Sequence, residues 1–471
     1  MSDKPRLLIT ISISFAVRYI IRTGLLKKLS EWYEPVIAIS WNEEKIIAEL
    51  HEEGYEVYII PPGKKSARYN DLRKKIDSWF NHFRLQSPSQ KIQDDYLRQY
   101  VSWRTGLWYT VKKWYTVLPL YISGLKKKLF RDELSLLFSE TNYFELSAFV
   151  ASLNVDAVFS VTPFHKEEDL LLRACKLNGK KMITAILSFD NITKRGWLPV
   201  EYDLYMVWNL HNKNQLLRIY PAIKKDVIQV TGAPQFDFYF NKEWLMLEKD
   251  WKKMLDLPDE DCKIILYAGG PVSLLPNETQ YLQHLDAAIN QGELPGNSII
   301  LFRCHPIDHI ERWKKAIGNS KNIFFDESWT GKENIHHAGI TEDDIRKLCA
   351  TLAFTDVHVN LCSTMTVDGS AFDKPQVGPA YDEVMPATQH LLRDMYRQEH
   401  FLPIIETGGL AIAESKKDFI GAIKNALEYP ARLSTNRQEI LNRILTYTDG
   451  KSTERVVAVL KDALNQLINN G

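Results

Sequence analysis

The stretch that decides the fold is VNLCSTMTVDGSAFDKPQVG, which runs from Val359 to Gly378. An apolar run typical of a buried strand ends in hydroxyl side chains, and a second apolar run follows a Lys-Pro pair. Ser363 and Thr364 fall where a helix would begin, and Asp368 comes about one turn later. Free backbone N–H groups at a helix start bind anions, so this arrangement indicates a phosphate site. The alternative is that Ser363 or Thr364 only caps the helix and that Asp368 complements the helix dipole.

Two more strand ends in the second half of the chain carry candidate ligands for a phosphate. In ILFRCHPID, Arg303 and His305 come at the end of a predicted strand, where imidazole can donate a hydrogen bond to a phosphate oxygen and Arg303 can add charge. In YAGGPVS, Gly269 and Gly270 would let the backbone approach a ligand, although paired glycines after a strand also form ordinary turns. Trp329 could stack on a base or simply pack.

The rest of the chain predicts two doubly wound α/β domains. Short β-rich runs such as RLLITIS and YEVYIIP alternate with helical stretches, which is typical of βαβ units and a parallel sheet. We expect an N-terminal Rossmann-like acceptor domain over 1–235, with an aromatic and basic helical insertion at about 64–140. A Rossmann-like donor domain over 236–430 follows, and helices over 431–471 cross back to the first domain. Ligands in such sheets bind beyond the carboxyl ends of the strands, so the cleft is the expected site.

Composition limits the classes of function. The 471 residues carry 59 basic and 59 acidic side chains, so no global field would attract nucleic acid, and we expect no nucleic-acid partner. No apolar run is long enough to span a bilayer, and the first apolar run lacks a cleavage site, so we expect a cytoplasmic protein. Five scattered cysteines form no CxxC pair and predict neither disulfides nor a zinc cluster: Cys175, Cys262, Cys304, Cys349 and Cys362.

Candidate acid–base groups lie in the first domain. The stretch TAILSFDNITKRGW follows a predicted strand and contains Asp190, whose carboxylate could serve as a general base or as a ligand for a hydroxyl. An Asx turn explains Asp190 equally well. His165 in TPFHKEED is either an acid–base group of the cleft or the polar start of a helix.

The stretch from Trp103 to Arg131 interleaves aromatic and basic side chains. This combination suits a membrane interface with anionic lipid heads. The same residue types also bind single-stranded nucleic acid, and a core helix pair with a solvated lysine edge is the third interpretation. A peripheral contact with the inner face of a membrane would suit a lipid-linked acceptor.

These motifs together resemble the donor domain of GT-B glycosyltransferases, in which a His-Pro strand end precedes a signature of hydroxyls, an acidic residue, small residues and Lys-Pro. RCHP and CSTMTVDGSAFDKPQVG carry that resemblance, and LSFDNITKRG, MVWN and VTGAPQFD are similar to a bacterial surface-carbohydrate, UDP-glycosyltransferase-like branch. The resemblance covers roughly 155–378. The chain departs from the family where a glycine-rich loop would follow the first strand, because TISISFAVRY offers Ser12, Ser14 and Arg18 instead.

The resemblance implies roles for several residues. His305, Ser363 and Thr364 would hold the diphosphate of a nucleotide-sugar, and Asp368 would contact sugar or ribose hydroxyls. No glutamate stands upstream in FTDVHVNLC, which favours inversion, with Asp190 or His165 as the base.

The function predicted in this way is glycosyl transfer from a nucleotide-sugar to a glycan or lipid-linked acceptor in surface polysaccharide synthesis. We expect inversion, no metal and no cofactor beyond the donor substrate, because helix ends and basic side chains can neutralise a leaving diphosphate. The alternatives are a CDP-alditol-type polyol-phosphate transferase, a UDP-sugar 2-epimerase and a non-catalytic nucleotide-sugar binding protein. The sequence does not indicate the oligomeric state.

Overall fold

The structure is a computed structural model, and it describes residues 4–98, 101–272, 275–305, 308–326, 328, 340–386 and 389–469. Two parallel sheets, one in each half of the chain, organise the described residues. Helices flank both sheets, which confirms the predicted pair of doubly wound Rossmann-like domains.

The first sheet has seven strands in the order β3-β2-β1-β4-β5-β6-β7, and every pair of neighbours is parallel. Strand β1, RLLITI, is almost wholly buried because helices cover both faces of a parallel sheet. The order reverses direction between β1 and β4, which is the switch point where such sheets bind ligands. The strands are β1 Arg6–Ile11, β2 Glu34–Ile39, β3 Glu56–Ile59, β4 Ala157–Ser160, β5 Lys181–Ala185, β6 Leu204–Val207 and β7 Ile228–Val230.

The second sheet has six strands in the order β10-β9-β8-β11-β12-β13, again parallel. Its switch point lies between β8 and β11, and β11 leads directly into the stretch quoted first. The edge strand β13, LAIA, was not predicted. The strands are β8 Lys263–Ala268, β9 Ser298–Arg303, β10 Ile323–Asp326, β11 Val357–Asn360, β12 Gln376–Pro379 and β13 Leu410–Ala413.

The helices of the first half include the predicted insertion, which is helical from α4 to α7. Two π-helical turns, Arg18–Arg22 and Asn81–Leu85, and a 3₁₀ turn, Leu118–Tyr121, adjoin these helices. The α-helices are α1 Ser14–Val17, α2 Leu25–Ser30, α3 Glu44–Glu52, α4 Ala67–Phe80, α5 Pro88–Arg98, α6 Trp103–Val117, α7 Ser123–Ser139, α8 Tyr143–Ser152, α9 Asp169–Leu177, α10 Asn191–Lys194 and α11 Leu210–Ile219.

The helices of the second half begin in the segment that joins the two sheets. Short 3₁₀ turns at Pro234–Phe236 and Lys242–Trp244 alternate with the first two helices there. The helices are α12 Asp237–Phe240, α13 Glu248–Met254, α14 Thr279–Asn290, α15 Ile310–Ile317, α16 Glu342–Phe354, α17 Met365–Ala371, α18 Gln389–Met395, α19 Leu402–Ile405, α20 Lys416–Glu428, α21 Ser434–Ile444 and α22 Ser452–Asn469.

The last helix, α22, packs on the first sheet rather than on the second. Val456, Leu460 and Leu464 are buried in one hydrophobic cluster with residues of β1 and β2. The Tyr33 hydroxyl donates a hydrogen bond to the Leu460 carbonyl at 3.3 Å. The start of α22 is held by Asp237 of the joining segment, which accepts from the Thr453 backbone N–H at 2.7 Å. Helix α22 therefore packs on the first domain, although it follows the second domain in the sequence.

Candidate functional site

A cavity of about 260 Å³ lies between the two sheets, and we call it the interdomain cavity. Its walls come from loops at the carboxyl ends of β1, β4 and β5, from the joining segment and from α17. The position agrees with the rule that open parallel sheets bind ligands at their carboxyl edges. Polar side chains that line it are Arg18, Thr162, His165, Ser188, Asp190, Asn191, Arg195, Gln235, Thr364 and Asp368.

Asp190 stands at the start of α10, where the chain leaves β5. Its carboxylate is 3.5 Å from the Lys194 ammonium, one helical turn away, and a fifth of its side chain is exposed. Burial raises the pKa of Asp190, but Lys194 and His400 outweigh burial and lower it to about 2. Asp190 is therefore ionised at neutral pH and can accept a proton or a hydrogen bond.

His400 links this corner of the cavity to the helical insertion. Burial and the neighbouring Lys194 lower the pKa of His400 to about 3, so the imidazole is neutral at physiological pH. Its Nδ1 lies 3.2 Å from the Ser89 hydroxyl at the start of α5. The Glu399 backbone N–H donates to the same hydroxyl at 2.7 Å. The insertion thus bridges the two domains beside Asp190.

His165 lines the cavity next to a buried carboxylate that the sequence analysis did not identify. Glu168, at the end of the same loop, accepts hydrogen bonds from four hydroxyls: Thr10, Ser12, Ser160 and Thr162. Burial raises the pKa of Glu168 although these four hydroxyls lower it. Ser12, at the position where a glycine-rich loop was expected, thus binds an internal carboxylate.

Arg18, Tyr239 and Asp368 form a buried network across the cavity wall. The Arg18 guanidinium donates to the Gln235 carbonyl at 2.6 Å and to the Tyr239 hydroxyl at 3.0 Å. The Tyr239 hydroxyl donates in turn to Asp368. Burial raises the pKa of Asp368, while Arg18 and Tyr239 oppose that rise. A contact between Asp368 and sugar or ribose hydroxyls stays a prediction, and one of its two oxygens already accepts from Tyr239.

Ser363 and Thr364 differ in their surroundings. Ser363 precedes the N-cap residue of α17, Thr364, and its Oγ accepts the Met365 backbone N–H at 3.3 Å in a local turn. Ser363 does not line the cavity. Thr364 does line it. Between the two predicted phosphate ligands, the structure places only Thr364 at the interdomain cavity.

Arg303 lies in a buried ion cluster and not at the cavity. Its guanidinium pairs with Asp326 and donates to the Ser328 carbonyl at 3.2 Å. Lys347 also pairs with Asp326, at 2.9 Å. Arg303 does not line the interdomain cavity, and its role at a phosphate stays a prediction.

The Gly269–Gly270 pair forms a packed turn after β8. A Cβ atom on Gly270 would overlap the Leu275 side chain, and one on Gly269 would lie 3.1 Å from the Phe302 ring. The Gly270 backbone N–H donates to both oxygens of Glu278, at 3.0 and 2.9 Å. Tight packing therefore explains these glycines, and their approach to a ligand stays a prediction.

The carboxyl group of Glu278, which binds this turn, makes the stability of the folded protein depend on pH. Burial raises the pKa of Glu278 to about 8 from its ordinary value of 4.5, although Gly270 and Tyr267 donate to the carboxylate. The folded carboxyl group thus binds its proton more tightly than the unfolded one, so stability falls as the pH rises from 4.5 through about 8. We expect Glu278→Gln to remove this loss, which is on the order of a few kcal/mol.

Urea unfolding of the wild type and of Glu278→Gln at pH 5 and at pH 8.5 measures the difference. Glu260→Gln, on the surface, is the matched control and should follow the wild type at both pH values. Parallel unfolding curves for the wild type and Glu278→Gln across this range would contradict the assignment.

The remaining predicted residues lie outside the cavity lining or outside the described residues. His305 follows β9, is half-buried, and its carbonyl accepts the Asp308 backbone N–H at 2.9 Å. Trp329 lies outside the described residues. Within the described ranges, no group of three or more His, Cys, Asp or Glu side chains is arranged to hold a metal ion.

A family of transferases matches the second half of the chain and part of the first. The CDP-Glycerol:Poly(glycerophosphate) glycerophosphotransferase family matches residues 193–461, which is more than half of the chain. The chain belongs to this family. It is therefore a transferase, and its resemblance to the GT-B superfamily is confirmed. The glycerophosphotransferase match includes Thr364 and Asp368 and begins after Asp190, so it carries no information about Asp190, His165 or Arg18.

Solved structures with the same architecture support the fold of this glycerophosphotransferase family member. The UDP co-structure of S. aureus MnaA has a TM-score of 0.57 at 12% identity and covers 98% of this chain and 97% of its own. UDP-GlcNAc 2-epimerase from Neisseria meningitidis, bound to UDP-GlcNAc, has a TM-score of 0.54 at 10% identity, with 97% and 99% covered. A glycosyltransferase from Rickettsia africae ESF-5 has a TM-score of 0.50 at 14% identity, with 98% and 99% covered.

At these identities the structures establish the two-domain GT-B fold and nothing further. No curated protein matches the sequence.

Proposed function

We propose that the chain transfers an alditol phosphate from a CDP-activated donor to a hydroxyl group of a surface-polymer acceptor. The observation that carries this proposal is the family match over 193–461, which includes the α17 side of the interdomain cavity. In the reaction, the acceptor oxygen bonds to the β-phosphorus of the donor. The bond from that phosphorus to the bridging oxygen breaks, CMP leaves, and the acceptor proton passes to a base.

The cavity supplies groups suited to each part of this step. Asp190, ionised beside Lys194, can accept the proton of the acceptor hydroxyl, and His165 on the same wall is the other candidate. The Arg18 guanidinium lines the cavity and offers positive charge to a phosphate, although its Nη2 group already donates to the Gln235 carbonyl and the Tyr239 hydroxyl. Thr364 offers a hydroxyl from the opposite domain. Positioning and charge stabilisation dominate phosphoryl transfer, so these groups suffice without a covalent intermediate.

Glycosyl transfer from a nucleotide-sugar, with inversion, is the second candidate. It is favoured by the two carboxylates in the cavity, Asp190 and Asp368. Carboxylates repel phosphates but accept hydrogen bonds from sugar hydroxyls. In that reaction the acceptor oxygen attacks the anomeric carbon and a nucleoside diphosphate leaves.

The leaving nucleotide separates these candidates in one assay. The protein is incubated with CDP-glycerol, CDP-ribitol or UDP-GlcNAc and a polyol-phosphate acceptor, and the nucleotides are resolved by chromatography. We expect acceptor-dependent release of CMP, and the same rate with EDTA present because we propose no metal requirement. Release of UDP from the sugar donor would instead establish the glycosyltransferase, and donor interconversion without release would establish an epimerase. Donor binding without turnover would leave only a binding protein.

A further inference from the structure

The carboxylate of Glu168 lies behind the wall that the first domain contributes to the interdomain cavity. It is fully buried, and each of its two oxygens accepts hydrogen bonds from two hydroxyls. Ser12 and Thr162 donate to Oε1. Thr10 and Ser160 donate to Oε2. An ionised carboxylate has no proton to give, so all four hydroxyl protons point toward Glu168.

Among these four hydroxyl residues, Thr162 is the one that the structure places in the lining of the interdomain cavity. Its backbone is held on both sides, because its N–H donates to Ser160 Oγ at 3.2 Å and its carbonyl accepts the His165 N–H at 2.9 Å. Thr162 Oγ1 donates to Glu168 at 2.5 Å and accepts no hydrogen bond from the described part of the chain. With its proton committed to Glu168, this hydroxyl offers the cavity only lone pairs.

Apolar side chains line the cavity on both loops that form this wall. Ile13 and Phe15 come just after β1, and Phe164 comes two residues after Thr162. A hydrogen-bond acceptor among carbon atoms, with a negative charge buried behind it, suits an uncharged group that carries a hydroxyl. A phosphate is unsuited to this place, because its ionised oxygens have no proton to donate and are repelled by Glu168.

We propose that Thr162, with its hydroxyl oriented by Glu168, binds an alditol hydroxyl of the acceptor and so determines which acceptor is selected. The hydroxyl concerned is the neighbour of the one that attacks the donor, and it donates its proton to Thr162 Oγ1. Glu168 is a positioning residue, since it acts through Thr162. A site that accepts a hydrogen bond from a substrate hydroxyl discriminates against an analogue without that hydroxyl. The inference rests on the proposed function, from which the class of acceptor is taken.

Thr10 provides a matched comparison for Thr162. It is the same residue type, it donates to the other oxygen of Glu168 at 2.9 Å, and it is fully buried and absent from the cavity lining. Valine at either position keeps the shape of the side chain and removes one of the two hydrogen bonds to one carboxylate oxygen. The two variants therefore disturb Glu168 alike, and only Thr162→Val removes lone pairs from the cavity.

Calorimetric titration without donor measures this contact independently of turnover. One probe is a glycerol phosphate trimer, and the other is the same trimer ending in 1,3-propanediol, which keeps the primary hydroxyl and lacks the neighbouring secondary one. We expect the full-length protein to bind the complete trimer about tenfold more tightly at pH 8, which favours the ionised carboxylate. Thr162→Val should bind both probes equally, whereas Thr162→Ser and Thr10→Val should keep the preference. The affinity for CDP-glycerol should be the same in all of these proteins.

The inference is overturned if the wild type does not bind the trimer, binds both probes equally, or keeps its preference as Thr162→Val. It is also overturned if Thr10→Val loses the preference as fully as Thr162→Val, because the effect would then come from a disturbed Glu168. Weaker binding of CDP-glycerol to Thr162→Val, with unchanged binding of the trimer, would assign Thr162 to the donor instead. Where the valine variants fail to fold, Thr162→Ala and Thr10→Ala provide the same comparison.

The nucleotide assay described above separates a failure of this contact from a failure of the proposed reaction. A preference for the complete trimer without release of CMP from CDP-glycerol would overturn the proposed reaction, while the contact at Thr162 would stand. Release of CMP without any preference between the two trimers would overturn the contact at Thr162, while the proposed reaction would stand.

Discussion

Asp190→Asn should lower kcat by about a thousandfold with little change in donor affinity. The amide keeps the size of the side chain and its place beside Lys194, but it cannot accept a proton from the acceptor hydroxyl. Initial rates at saturating donor and calorimetric titration of the donor measure the two quantities. Because phosphoryl transfer has a loose transition state, a base is needed late in the reaction, and a carboxylate that remains ionised can fill that role.

The pH profile distinguishes Asp190 from His165 as the base. With the pKa of Asp190 lowered to about 2, its ionisation does not change between pH 5 and pH 8, so the rate should not fall on the acid side of this range. An ordinary histidine base titrates near pH 6.5 and would give a falling acid limb there. An active Asp190→Asn variant together with an acid limb that disappears in His165→Gln would transfer the role to His165.

Gly369→Ala should destabilise the second domain by about 3 kcal/mol. A Cβ atom at this position of α17 would overlap the Gln376 amide and the His358 imidazole. Both are buried and already bonded: Gln376 donates to the Lys374 carbonyl at 2.9 Å, and His358 Nε2 lies 2.8 Å from the Thr355 hydroxyl. The methyl group must displace at least one of them and leave a polar group without its partner.

Gly421→Ala, in the middle of α20, is the matched control for this substitution. A Cβ atom there meets nothing within 4 Å, so alanine should stabilise the helix by about 0.5–1 kcal/mol. Urea unfolding followed by tryptophan fluorescence measures both variants. Equal unfolding midpoints for Gly369→Ala and the wild type would contradict this prediction. They would show that helix α17 can shift away from β12 without a loss of stability.

The strands and the fold class could be predicted because a buried parallel strand has a local signature. Apolar runs of four to six residues separated by helices identify β1, β8, β9 and β11 without any knowledge of their neighbours. Strand β13, LAIA, is also a short apolar run, but it was not distinguished from the loop before α20. The positions of Asp190, His165, Thr364 and Asp368 at strand ends also follow from local pattern, and the structure brings all four to one cavity.

What could not be predicted depends on contacts between distant parts of the chain. The four hydroxyls around Glu168 come from the carboxyl ends of β1 and β4 and from the residues just after them, some 150 residues apart in the sequence. Tyr239 hydrogen-bonds both Arg18, which is 221 residues earlier in the sequence, and Asp368, which is 129 residues later. Arg303 was predicted at a phosphate because its position at a strand end is favourable, whereas its partner Asp326 is on the neighbouring strand. No local pattern contains these pairings.

The packing of α22 on the first sheet limits when the first domain can finish folding during synthesis. Val456, Leu460 and Leu464 are buried in the cluster that contains β1 and β2, and the hydrogen bond from Tyr33 to Leu460 joins residues 427 positions apart. Because the second sheet lies between these partners in the sequence, the contact cannot form on the ribosome until the second domain has been synthesised. The core of the first domain is therefore completed only after the second domain has been made.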